Sequence, residues 1–100
     1  MNVEVRARMA LVRQLRASLK EGRYTSFGCY PKFYLTSDGG VLSHEGVNDN
    51  WDRIVRAIVR DERDGWQVVG VDVNWEDPDL YCDDTGERIP SAYAEDTVSA

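Results

Sequence analysis

The sequence predicts an α+β fold, with two amphipathic helices packed on a small, mainly antiparallel sheet. Three observations lead there. Apolar residues recur at helical spacing in two separate windows. Short β-branched and aromatic runs lie outside those windows, bounded by the turn sequences Asp38-Gly39-Gly40 and Asp83-Asp84-Thr85-Gly86. The chain has 100 residues, of which 42% are hydrophobic, enough to bury one core without metal or disulfide support.

The first window predicts a helix from Asn2 or Val3 to Glu21, with Asn2 as N-cap and Gly22 as the terminating glycine. Val5, Met9, Val12, Leu15 or Arg16, and Leu19 follow the helical repeat, and Leu11 widens the stripe. Arg6, Arg13, Arg16 and Lys20 fall largely off it and form a solvated basic face. Gly28 and Pro31 punctuate the linker Tyr24–Pro31, whose Tyr24, Phe27 and Tyr30 are expected to plug the edge of the core. Lys32–Thr36 is a strand, Ser37–Gly40 a tight hairpin turn and Val41–Ser43 the returning strand. His44–Gly46 closes a second turn.

The second window predicts a helix from about Asn48 to Arg63, capped by Asn48 or Asp49 and followed by Gly65. Its apolar face is Trp51, Ile54, Val55, Ile58 and Val59. A strand follows, with Gln67, Val69, Val71, Val73 and Trp75 on the core side. Trp66, Val68, Gly70, Asp72 and Asn74 lie on the other. Packing of that helix face on the three valines is the expected main contact, at about 1.5–3 kcal/mol per large apolar side chain. Glu76–Asp79 break the strand at Pro78, Leu80–Cys82 return, and Asp83–Gly86 turn again. The chain reads as one domain: a basic helix over 1–22, a helix-plus-sheet core over 30–93 that ends on a docked Tyr93, and a frayed tail over 95–100.

Net charge is −6, but unevenly spread. Residues 1–32 hold seven basic side chains against two acids, and residues 33–100 hold five against sixteen. Either the halves complement each other internally, or the acidic half faces a basic partner. No segment approaches the roughly 18 apolar residues of a membrane span, and no signal-peptide pattern opens the chain, so a cytoplasmic location is expected. Cys29 and Cys82 are too few for a disulfide framework and are expected to be thiols.

The runs YPKFYLTSDGGVLSHEG and VVGVDVNWEDPDLYCDDTGERIPSAYAED resemble a family of small phage and prophage proteins. Its pattern is a YPxFxxTxDGGxLCxxC hairpin, a helix, then VVxxDVNWEDPDLYCDxC followed by GERIxSAYxED. The resemblance covers roughly residues 30–96; DVNWEDPDLYCD is its most specific part, and the first helix lies outside it. In that pattern two C-x-x-C knuckles would hold tetrahedral zinc. Here Ser43 and Gly46 stand at the first pair, Cys82 is retained and Thr85 replaces the fourth cysteine. The resemblance therefore implies a ribbon-like pair of knuckles without its metal. A substitute site built from Cys29, His44 and Cys82 would need three distant residues to converge.

The chain contains one histidine, no nucleophile elbow, no phosphate-binding glycine loop and no calcium-loop spacing. A Cys29–His44 pair with a carboxylate is the nearest approach to a nucleophilic site, and the expectation is a non-enzymatic protein with no cofactor. Asp72, Glu76, Asp77, Asp79, Asp83, Asp84 and Glu87 fall within sixteen residues. Together with the resemblance, they suggest a phage inhibitor whose acidic surface occupies a DNA channel of a host nucleic-acid-handling complex. A CRISPR effector, or another basic nucleic-acid-binding protein, would be the partner. In that reading the chain touches neither nucleic acid nor membrane. The alternative is a degenerate zinc ribbon acting as a phage regulator or scaffold, touching nucleic acid through the basic first helix.

Overall fold

The computed structural model describes residues 2–93. In chain order these form α1 (Val3–Glu21), β1 (Lys32–Thr36), β2 (Val41–Leu42), α2 (His44–Asp49), α3 (Trp51–Arg60) and β3 (Val68–Val73). The class is α+β. The sheet is antiparallel, with order β2-β1-β3. The tail expected over 95–100 lies outside the described residues.

α1 begins and ends as its sequence predicts. Asn2 Oδ1 accepts the Val5 N–H at 2.8 Å, and Gly22, at φ +104°, donates to Ser18 O. The buried stripe is rotated from the apolar repeat, however. Val12 and Leu15 are buried, Leu11 and Leu19 pack against them, and Val5 and Met9 are exposed. Polar residues cause the rotation. Ser18 shares a 2.7 Å hydrogen bond with the Tyr34 hydroxyl, and Arg8 donates to Val59 O at 3.3 Å. Both sit on the buried side of the helix, where hydropathy alone would not place them.

β1 inverts the usual alternation. Lys32, Tyr34 and Thr36 point inward and are buried, whereas Leu35 is exposed. Their partners on β3 are Val73, Val71 and Val68, and the register shifts between Leu35 and Thr36. Leu35 faces Gly70 and Thr36 faces Val68, so Val69 is an extra residue in a β-bulge. Strict alternation put Val69 inside and Val68 outside. The bulge reverses both: Val68 is fully buried and Val69 is half exposed.

The second predicted helix is two helices, and it starts earlier. Ser43 ends the hairpin as an N-cap, with Oγ accepting the Gly46 N–H at 3.0 Å, so His44–Gly46 is a helical turn rather than a loop. The chain bends at Asn50, which spends its amide on Gly46 O and Asp84 Oδ2. α3 stops at Arg60 because Asp61 turns left-handed, at φ +54°, well before Gly65. Ile54, Ala57 and Ile58 are its buried face, while Val59 is exposed. The core contact therefore joins Ile54 and Ile58 to Val68, Tyr34 and Leu15, with Trp51, Val55 and Val71 at the margin.

The two irregular segments are tied down by backbone. Thr25 N donates to Tyr30 O and Lys32 N to Arg23 O, folding the linker into a small loop. Two of its three aromatics do not plug the core: Phe27 is 91% exposed and Tyr24 is also exposed, whereas Tyr30 is half-buried. The returning strand Leu80–Cys82 is reduced to a bridge between Tyr81 and Arg88. Gly86 closes that turn at φ +76°, and Asp83 N donates to Val41 O, stitching the turn to β2.

Candidate functional site

The acidic stretch hangs on one buried side chain. Asn74, 3% exposed, directs its amide nitrogen at the carbonyls of Asp77, Ile89 and Pro90, and its Oδ1 accepts the Asp77 N–H. Alternation had placed Asn74 toward water or a partner. The bonds explain its burial: an internal carboxamide saturates four groups that a chain reversal would otherwise leave unpaired. Asp77 then accepts the Asp79 N–H at 2.9 Å, which tightens the turn around Pro78.

The seven predicted acids divide by task. Asp72, Glu76, Asp77 and Asp79 are exposed on and after the end of β3. Asp83, Asp84 and Glu87 fasten neighbouring segments. Asp83 Oδ2 accepts the Val41 N–H at 3.0 Å, Asp84 takes the Asn50 amide at 2.9 Å, and Glu87 takes the Ser43 hydroxyl at 2.8 Å. None of the seven is ion-paired to α1 among the described residues. Among the described residues, the α1 ion pairs are Arg8 with Glu4 and Asp61, and Glu21 with Lys32. Arg6, Arg13, Arg16 and Lys20 are exposed, and Arg16 lies over the Trp51 ring at 5.8 Å.

Ser43, Gly46, Cys82 and Thr85, the four positions at which the resembling pattern carries cysteines, lie side by side. A Cβ on Gly46 would stand 2.9 Å from Cys82 Sγ and 3.5 Å from Ser43 Oγ, and Thr85 N donates to Cys82 Sγ at 3.5 Å. Burial pushes the Cys82 thiol up, but hydrogen bonds from Ser43 and Thr85 outweigh it and hold the thiol below its ordinary range. These residues do not fit zinc. One sulfur already accepts hydrogen bonds, two hydroxyls are poor ligands, and glycine offers none. Hydrogen bonds join the two turns at this point. His44 is half-buried at the start of α2 and Cys29 is exposed in the linker. Among the described residues, no three His, Cys, Asp or Glu side chains come close enough to hold a metal ion.

One constellation escaped the sequence. Lys32 Nζ, in a side chain only 5% exposed, donates to Ser18 O, Ser18 Oγ and Glu21 Oε1 at 2.7–2.9 Å, and Ser18 Oγ also meets the Tyr34 hydroxyl. Serine, lysine and tyrosine can make a nucleophilic set, but here all three ammonium protons are engaged and none of the three groups is left to take a proton. The bond from Lys32, then those from Ser26, hold the Glu21 carboxyl at about 2, against an ordinary 4.5. The set acts as a fastening between α1 and β1. Its only signal was the polar side of KFYLT, which hydropathy reads as the outside.

No family model matches the chain, and neither a curated protein nor a solved structure does. No helix among the described residues is long and apolar enough to cross a membrane.

Proposed function

We propose that the protein is a phage-encoded, non-catalytic inhibitor of the anti-CRISPR type. It binds a host nucleic-acid-handling complex through its acidic surface and keeps target DNA out. The observation that carries this reading is the solvent-facing set Asp72, Glu76, Asp77 and Asp79, which the basic first helix leaves uncompensated. Channels that hold DNA are lined with Lys and Arg, and a cluster of exposed carboxylates is steered to such a lining and bonds to it. Asp83 and Asp84 are exposed as well, and with Glu87 they hold the turns. The resemblance to phage and prophage proteins supplies the biological setting.

The test is competition. The protein should displace target DNA from a purified DNA-targeting CRISPR effector, and Glu76→Lys with Asp79→Lys should weaken that displacement at least about tenfold, as like charges replace attractive ones. Undiminished displacement by the double variant would remove the acidic surface from the mechanism. The exposed Arg6, Arg13, Arg16 and Lys20 favour a second reading, a regulator or scaffold that touches nucleic acid through α1. Salt-sensitive retardation of duplex or single-stranded DNA, lost when those four become Gln, would select it.

A further inference from the structure

Three aromatic rings stand together beside the exposed acids. The Trp75 ring centroid lies 4.6 Å from that of Tyr30, tilted by 56°, and 5.9 Å from that of Tyr93, nearly parallel at 15°. Trp75 is 44% exposed and Tyr93 is 53% exposed. Open aromatic surface of this size is unfavourable in an isolated domain and is a common mark of an interaction site.

The backbone beneath the rings is held by hydrogen bonds. Tyr93 N donates to Trp75 O and Ala92 N to Asn74 O, both at 2.8 Å, and Asn74 is locked by its buried carboxamide. Glu76 follows Trp75 directly. Tyr30 first, and the charge of Glu76 as well, push the Tyr93 hydroxyl above its ordinary range, so ring edge and carboxylate are in electrostatic reach. An aromatic face held by its backbone next to negative charge binds with less entropy lost in ordering it.

We propose that Tyr30, Trp75 and Tyr93 form a stacking platform for arginine side chains of a protein partner, with Glu76 and the acids after it receiving the guanidinium N–H groups. The platform deepens the acidic-surface reading and rests on it for the sign of the partner's charge. Carboxylates alone accept lysine and arginine alike. A guanidinium also lies flat on an indole while its in-plane donors reach carboxylates, which a compact, strongly hydrated ammonium does poorly. The neighbouring acids would repel phosphates, which sets stacked nucleic-acid bases aside as the occupant.

The experiment measures binding of labelled hexa-arginine and hexa-lysine peptides to the full chain by fluorescence anisotropy, at low and physiological salt. Hexa-arginine should bind at least about fivefold tighter, and Trp75→Ala should reduce it to the hexa-lysine level. Glu76→Lys with Asp79→Lys should weaken both peptides. Trp75→Phe, a milder change with a smaller π face, should give an intermediate loss even if the alanine variant folds poorly. Equal affinities unaffected at Trp75 would overturn the platform and leave the acidic surface standing. A Trp75-dependent arginine preference that the double Lys variant leaves unchanged would do the reverse. Binding of neither peptide overturns the platform, while the effector competition above still judges the acidic surface by itself.

Discussion

The α1–β1 fastening and the knuckle crossing both bury polar groups, and they do so in opposite ways. At the fastening a full charge is buried: Lys32 uses every ammonium proton, and its carboxylate partner Glu21 stays at the rim, where water reaches it. At the crossing the central groups are a thiol, two hydroxyls and backbone amides, with charge confined to the outer acids. A buried ion that loses its partner is strongly destabilising, whereas a neutral group that loses one forfeits a hydrogen bond. The first junction should therefore be brittle and pH-dependent, and the second sensitive chiefly to shape.

The baseline for that contrast is the core the two junctions enclose. Leu15→Ala should have the largest effect, about 2–5 kcal/mol by urea unfolding, because the fully buried side chain leaves a cavity among Tyr34, Ile58 and Val68. Lys32→Met should come next, and its effect should vary with pH. The Glu21 carboxyl is lowered in the folded state, so its contribution is complete above the ordinary 4.5 and is lost as pH falls through about 2. The stability gap between wild type and Lys32→Met should narrow over that window in thermal melts. A constant gap would mean that Lys32 contributes packing and not charge.

Gly46→Ala should be smaller, about 1–3 kcal/mol, since its Cβ would meet Cys82 Sγ at 2.9 Å. Adding Cys82→Ala should recover part of the loss in a double-mutant cycle, whereas additive losses would show that the sulfur is not the obstacle. Smallest of all should be Glu76→Lys with Asp79→Lys, within about 0.5 kcal/mol of wild type, because neither carboxylate accepts a bond among the described residues.

The sequence was legible where one residue type determines a local geometry. Asn2 and Gly22 bound α1, Asp38-Gly39-Gly40 makes the hairpin turn, and Gly86 makes the knuckle turn. It misled where a polar side chain is satisfied inside. Lys32, Tyr34 and Asn74 are buried by partners up to sixteen residues away, and no repeat in hydropathy announces such bonds. The bulge at Val69 is likewise a property of strand pairing, and one extra residue exchanges the faces of Val68 and Val69. Ser43 reads as a strand end, and only the bond from the Gly46 N–H shows it to be a helix cap. The acids were found as a cluster, but only the structure shows that Asp83, Asp84 and Glu87 also fasten neighbouring segments. The three-ring ladder was not found at all, because Tyr30, Trp75 and Tyr93 come from three separate segments.

β3 forms one rim of the sheet, where an unsatisfied strand invites another chain to add itself. Asp72 curls back so that its Oδ1 takes the Val73 N–H at 2.8 Å, and its charge remains at that rim. A foreign strand would have to evict the carboxylate to recruit that amide. This self-blocking should let the protein accumulate without polymerising through its own sheet.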